Sequence, residues 1–526
     1  MNLSSLHWID LLIIIVTLII SLAIGFRFSG KQKNTKAYFI ARGKIPSWAI
    51  GISILATLIS SVTFLAYPGE GYASNWIRLV QGLMVPVVLV AIIGFIVPLF
   101  RNVIQLSTYE YFEKRFGFFA RLYSSISFVL SHFSKMGTVF FLLALALNKM
   151  SGVDTTTIIW VIGLSIIILT MVGGIEAVIW LDVIQGFLLV AGGLISLGVL
   201  LFSVPGGPAA IWEVAKENGK IGFGPFDWDF VHLTFIVMAL NGIFYAIQKY
   251  GTDQTIVQRY LTAKSDKDAI KASLIGVLFS VPVWALFMFI GTALFSYYKI
   301  TGSPLPADIE AEAVFPYFIM TQMPPGVIGL VLSALIAAAI SSLDADLNCL
   351  SAIFVEDYYS RIRPNSTDKQ KLLLSKLFIV IAGMGAIAVA LLYVGLGSEG
   401  VLGTVFTLYS IFSGGIAGIF LLGIFSKRAN KQGLYWGIGA CILFTAWAVL
   451  TSTPLEISGE KKLLLDLGRL NFTQHKYMIG VYSHIILVIF GYTASLFYKT
   501  DKSVLNLTYF GYLEEKKKKK NQKINI

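Results

Sequence analysis

The stretch AAAISSLDADLNCLS, Ala337 to Ser351, begins as an apolar helix and then sets Ser341, Ser342, Asp344, Asp346 and Asn348 where lipid-facing side chains belong. A carboxylate in hydrocarbon is costly unless something compensates it, and an intramembrane acid is a functional candidate by default. On a helix, Ser341, Asp344 and Asn348 share one face, and Ser342 and Asp346 an adjacent one. Hydroxyls offer oxygen ligands without charge, a carboxylate adds charge, and oxygen ligands suit a hard cation. The stretch therefore reads as a route by which a small monovalent cation leaves the membrane. Asp346 reads equally as a residue solvated at the inner end of its helix.

The surrounding composition supports a chain embedded in lipid. Of 526 residues, 56% are hydrophobic and 13% charged, and the mean hydropathy is +0.76. A soluble chain would be about a quarter charged. Cys349 and Cys441 lie in apolar runs, which excludes a disulfide framework or a cysteine-based metal cluster. The five histidines show no metal-ligand spacing. The net charge of +12 sits mostly in short loops between apolar runs, a mark of membrane topology rather than of nucleic-acid binding. The first apolar run has no small-residue cleavage site and is expected to span rather than to be removed.

A spanning helix needs about 20 apolar residues. Thirteen candidates follow: 8–28, 46–66, 79–99, 122–148, 157–173, 177–203, 233–250, 272–297, 326–343, 373–396, 402–426, 433–452 and 478–498. The fold class is thus an all-α integral membrane protein. Basic residues mark alternate loops: Lys31, Lys33, Lys36, Arg42 and Lys44; Arg101, Lys114, Arg115 and Arg121; Lys249, Arg259, Lys264, Lys267 and Lys271; Arg361, Arg363, Lys369 and Lys371; Lys427, Arg428 and Lys431. These loops are expected in the cytoplasm of a cell with this protein in its plasma (inner) membrane. An odd span count then puts the N-terminus outside and the lysine-rich tail, Glu514 to Lys520, inside. The loop 453–477, with Lys461, Lys462, Arg469 and Lys476, runs against the pattern.

Two candidate spans look interrupted. The second reads SILATLISSVTFLAYPGEG, with Ser60, Ser61, Thr63, Pro68 and Gly69; the seventh reads MALNGIFYAIQKYGTDQ, with Asn241, Gly242, Gln248 and Gly251. They stand five helices apart, the signature of a transporter built from two inverted five-helix units. Broken backbone is tolerated at membrane depth only where it lines a cavity or binds an ion. Close helix packing through Ser and Gly is the plainer alternative. A second intramembrane acid, Asp182, follows the tight turn at Gly173 and Gly174 in GGIEAVIWLDVIQG by roughly two helical turns.

GGIEAVIWLDVIQG, TDQTIVQRYLTAKS (Thr252 to Ser265) and AAAISSLDADLN together resemble the solute:sodium symporter family, over residues 8 to about 430. The resemblance implies a LeuT-type fold: a leading helix, 8–28; inverted repeats at 45–203 and 233–426; two accessory helices within 433–498; and a basic tail, 499–526. It implies sodium as coupling ion and no organic cofactor. At the principal sodium site it places the carbonyls of Ala56, Ile59 and Ala338 and the hydroxyls of Ser341 and Ser342. A second sodium site in some members uses an acid at the position of Asp182 with hydroxyls on the ninth helix. Here Asp182 and Ser341 fit, while Asp344 and Ala345 replace the hydroxyls, so the resemblance implies a second sodium site or an exit path at Asp182 and Asp344. Tyr250 matches the inner-gate tyrosine of sugar-transporting members.

The galactose pattern is absent. Val62 and Thr63 replace an acid–amide pair, 272–297 has no lysine, and Phe406 and Thr407 stand near the position of a glutamine. ISSVTF, YEYFEKRF, GGIEAVIW and VQRY are closer to the sialic acid symporters, in which Ser60 and Thr63 would hold a carboxylate with help from an arginine. Lys135 stands at that position, which keeps the charge without the bidentate fork. Three readings of Lys135 stay open: it holds a substrate carboxylate; it pairs permanently with a protein acid such as Asp182 or Asp344, with a neutral sugar as the solute; or it snorkels to the inner interface. Gln81 and Arg78 add polar groups nearby. The expected activity is sodium-coupled import of a small polar solute, a sugar or sugar acid, with only the solute and the bilayer as partners and no obligatory protein partner. The alternatives are a transporter-like sensor or a symporter of amino acids or monocarboxylates. The short stretch after residue 498 is not expected to hold a signalling domain, and Ser341 with Asp344 is the one nucleophile–base pairing, with no histidine near in sequence to support an enzyme.

Overall fold

The computed structural model describes residues 6–28, 34–43, 45–396, 414–457, 460–463 and 465–524. Helix α1 (Trp8–Phe28) leads. The first repeat comprises α2 (Thr35–Ile40), α3 (Ser47–Leu58), α4 (Tyr67–Ala73), α5 (Leu79–Val103), α6 (Tyr109–Phe116), α7 (Phe118–Ser151) and α8 (Thr155–Phe202), followed by the connecting α9 (Gly207–Glu217). The second comprises α10 (Phe235–Gly251), α11 (Gln254–Thr262), α12 (Asp266–Thr301), α13 (Ala311–Gln322), α14 (Val327–Ile353), α15 (Asp368–Leu396) and α16 (Ile416–Phe425). Helices α17 (Lys431–Ser452), α18 (Tyr477–Ser495) and α19 (Tyr509–Ile524) close the chain, with a short antiparallel hairpin of β1 (Pro454–Ile457) and β2 (Glu460–Leu463) between α17 and α18. The repeats interlock: α14 packs along α8, α3 against α12, and α10 against α5.

Among the described residues, nine helices are long and apolar enough to cross a membrane, or ten if the bent pair Ser47–Leu58 and Val62–Ala73 is one span. The count of 13 is therefore not reached on these criteria. Thr155–Met171 and Ile416–Phe425 are apolar but shorter, and α10, with 17 residues, carries Asn241, Gln248 and Lys249. Phe406 and Thr407 lie outside the described residues, as do Lys31, Lys33 and Lys44. The glycine turn expected at 173–174 is present: Gly174 takes φ 62°, ψ −178°, a conformation that glycine adopts without steric cost, and it bends α8 between its two halves.

The expected breaks divide. In the second span, α3 stops at Leu58 and Ile59 is extended (φ −106°, ψ 115°). The chain re-enters as a π-turn over Val62–Ala66 and then α4, bent by 60°. Pro68, in the first turn of α4, needs no helical N–H there. In the seventh span, α10 runs unbroken from Phe235 to Gly251, so the interruption expected at Asn241–Gly242 is absent. A Cβ on Gly242 would sit 2.9 Å from the Gln81 Cα. This glycine serves close packing of α10 on α5.

Candidate ion and solute site

The break in the second span leaves carbonyls without helical partners, and α14 meets them with hydroxyls. Ser341 Oγ donates to the Ala56 carbonyl at 3.1 Å and lies 3.2 Å from that of Ala338; Ser342 Oγ reaches the Thr57 carbonyl at 3.5 Å. Ile59 is the extended residue of the break itself. Ala56, Thr57, Ile59, Ala338, Ser341 and Ser342 are all buried. Ser341 thus meets the carbonyls of Ala56 and Ala338, and the adjacent Ser342 meets that of Thr57, with Ile59 at the break itself. The set is neutral and all-oxygen, which fits a small hard cation and gives a thiophilic metal nothing to bind.

Against the same break lies a cavity of about 890 Å³, counting the open space at its mouth. Ser60 and Thr63 line it from the break and Gln81 from α5. His132 and Lys135 line it from α7, Tyr245 and Lys249 from α10, and Trp284 from α12. The four residues singled out for the solute, Ser60, Thr63, Gln81 and Lys135, therefore share one wall system. Tyr250 does not line the cavity; it is fully buried one residue beyond Lys249, where its carbonyl accepts from the Tyr260 hydroxyl at 3.0 Å. Arg78 lies outside the cavity wall, 2.9 Å from Glu70 and 2.6 Å from the Tyr477 hydroxyl.

The acids divide by helix face. Asp344 points at α8, where the Thr170 hydroxyl donates to it; its other oxygen has no hydrogen-bond partner among the described residues. Asp346, two residues and about 200° further round the helix, points at α7 and lies 3.0 Å from Lys135 Nζ. Lys135 therefore pairs with a protein acid, but with Asp346, not with Asp182 or Asp344. The inner-end reading of Asp346 also fails, because it is completely buried. Asp182 has its own cation: Arg259 Nη2 at 2.9 Å, with Ser53 Oγ at 2.5 Å bridging to Arg259 Nε at 2.8 Å.

Four functional candidates escaped the sequence reading. Arg259 and Lys249 were assigned to a solvated basic loop, yet Arg259 is fully buried and Lys249 nearly so. Lys249 Nζ lies 2.6 Å from Asp253, whose other oxygen accepts from the Thr255 N–H at 2.8 Å. His132 bridges the acids, with Nδ1 2.9 Å from Asp346 and Nε2 3.3 Å from Asp253. The available signals were His132 one turn before Lys135 in SHFSKMG, and the close spacing of Lys249, Asp253 and Arg259 around TDQTIVQRY.

Comparison with known proteins places the chain in a family. The profile of the Sodium:solute symporter family matches residues 38–440. The sodium/sialic acid symporter NanT of Aliivibrio fischeri is 33% identical over 482 residues, covering 91% of each chain. The sodium/sialic acid symporter SiaT of Proteus mirabilis is 36% identical over 477 residues, covering 87% of this chain and 95% of its own. A solved substrate-bound, outward-open Na+-coupled sialic acid symporter superposes with a TM-score of 0.84 at 32% identity, covering 94% of this chain and 99% of its own. The transporter Mhp1, at 15% identity and a TM-score of 0.54, shares the LeuT-type fold alone. Broken second helix, oxygen cradle and matched profile agree: the chain belongs to the sodium:solute symporter family, a transporter coupled to sodium and not an enzyme.

Proposed function

We propose that the protein imports a sugar or sugar acid of the sialic-acid class, together with sodium, by alternating access. The observation that carries this reading is the meeting of the Ser341 and Ser342 hydroxyls with the carbonyls of Ala56 and Thr57 beside a polar cavity. Sodium at Ala56, Ile59, Ala338, Ser341 and Ser342 would tie α3 to α14 and so favour one conformation. Solute held by Ser60, Thr63, Gln81 and Lys135 would favour the next. Coupling needs only that each ligand bind one conformation better than the other. Relatives that carry sialic acid with sodium support the solute class.

Asp344 supplies the second ion position or exit path, because it is the acid without a cation. Asp182, which joins it in this reading, is already balanced by Arg259 and acts mainly by holding that neighbourhood. Tyr250 closes the inner side beyond the cavity by the bulk of its ring. Lysine and arginine in the loops at 264–271 and 361–371 support a cytoplasmic face there, with the N-terminus outside and the tail inside the plasma membrane. The test is uptake of N-acetylneuraminate into proteoliposomes. An inward sodium gradient should drive accumulation above equilibrium, and a sodium ionophore should abolish it. Equal uptake on a potassium gradient would sink the proposal.

A further inference from the structure

We infer that the tail helix α19 and the basic loop before α17 form a docking surface for the headgroups of anionic phospholipid, at the face of the membrane where α5 and α18 end. Residues 499–526 hold eight lysines against three acids, Asp501, Glu514 and Glu515, and so carry five of the chain's net twelve positive charges. Five of the lysines are consecutive, Lys516 to Lys520. Lys427, Arg428 and Lys431 add three more cations from the loop. A run of like charge is by itself only a solvated end. This one is fastened to the membrane-crossing part of the molecule.

The fastening is specific. Arg428 Nη2 donates to the Leu496 carbonyl at 3.0 Å, and Asn430 Nδ2 to that of Ser495 at 2.9 Å. Further along, the Tyr111 hydroxyl of α6 donates to the Leu507 carbonyl at 3.0 Å. Helix α19 then opens on ring contacts. Tyr509 stands edge-on to Phe95 at 4.9 Å between centroids, and Tyr512 meets the same ring at 5.5 Å. Phe95 belongs to α5, which crosses the membrane, and lies two turns, about 12 Å, before its end at Val103. The first turn of α19 is therefore held at the edge of the hydrocarbon, where tyrosine rings are at home. Phe510 is exposed there, with Lys427 Nζ 5.5 Å from its ring centre. Lys427 also pairs with Glu514 at 2.8 Å, which leaves Glu515 as the other acid of α19 against the lysine run.

Distance decides what that run can feel. Lys516 to Lys520 follow Tyr512 by about 6–12 Å of helical rise, even if α19 pointed straight off the membrane. The screening length at physiological ionic strength is about 8 Å. The run thus begins within reach of headgroup charge at any tilt of the helix. Lysine meets phosphate as a point charge on a flexible stem, so a lipid surface needs no shaped pocket to engage it. Nucleic acid would meet the same charge, but the aromatic seat of α19 puts the bilayer's own headgroups nearest to it.

The test uses the full-length protein in nanodiscs, with a fluorophore at Asn521→Cys, one residue past the run; Cys349 and Cys441 are buried and stay unlabelled. Shielding of the dye from acrylamide should be at least about twofold greater in discs containing phosphatidylglycerol than in pure phosphatidylcholine. Salt at about 0.5 M should remove the difference. So should a variant carrying Lys516→Gln, Lys517→Gln, Lys518→Gln, Lys519→Gln and Lys520→Gln together, since glutamine matches lysine in helix propensity and leaves α19 intact. That variant should keep sodium-driven uptake, because none of these residues lines the cavity. Equal shielding in the two lipids, or a difference that survives salt or the five substitutions, would overturn the inference. Shielding by an added oligonucleotide in phosphatidylcholine discs, with none from phosphatidylglycerol, would overturn it in favour of nucleic acid.

Discussion

The two flanks of the broken second span solve the same problem in opposite ways. On the α14 flank, Ser341 and Ser342 set neutral hydroxyls against freed carbonyls, and this is the flank proposed to take the sodium. On the α7 flank, Lys135, Asp346, His132, Asp253 and Lys249 complete one another with little help from outside. The difference teaches where an ion can enter and leave. A neutral cradle gains its charge with the ion and loses it on release, so both states are affordable. Removing a member from a charged line strands its partner in low dielectric, which makes that flank a fixed frame.

The comparison breaks most visibly at the pair of Asp182 and Arg259. Arg259→Met strands a buried carboxylate and is expected to cost about 3–5 kcal/mol of stability, read as a large fall in melting temperature in detergent. Adding Asp182→Asn should recover most of the loss. A stable single variant would mean that the carboxylate already has another counter-charge. Lys135→Met should have a smaller effect, about 1.5–3 kcal/mol, because His132 still donates to Asp346. Here Asp346→Asn should rescue, and Asp182→Asn or Asp344→Asn should not; rescue by either of the latter would contradict the pairing seen in the structure.

On the neutral flank the expected loss is in binding rather than in folding. Ser341→Ala removes one ligand and should weaken apparent sodium affinity by about 1–3 kcal/mol, with melting temperature in sodium-free buffer nearly unchanged. A sodium dependence equal to wild type would remove Ser341 from the site. The smallest effect belongs to Tyr250, outside both flanks. Its hydroxyl has no hydrogen-bond partner among the described residues, so Tyr250→Phe should stay within about 0.5 kcal/mol in stability and retain coupled uptake. Tyr250→Ala, lacking the ring, should keep sodium binding and lose accumulation. Loss of coupling in Tyr250→Phe would assign the gate to the hydroxyl instead.

What the sequence determined by itself was set by local chemistry. Apolar runs placed the helices, since lipid demands internally bonded backbone. Gly173–Gly174 announced a turn, and ISSVTF with Pro68 announced the break in the second span. The serine pair of AAAISS pointed to oxygen ligands, which the structure gathers at Ala56 and Thr57. Tertiary structure alone decided the partners. Gly242 looked like a second break and proved to be a packing contact with Gln81, a distinction that depends on which helix lies opposite. Lys249 and Arg259 looked like loop charges and proved to be buried, because α11 packs against α3, α12 and α14 and carries Arg259 to Asp182. Lys135 found Asp346 rather than Asp344 because two residues turn a helix by about 200°, and only the packing of α7 and α8 against α14 says which of those faces meets a lysine.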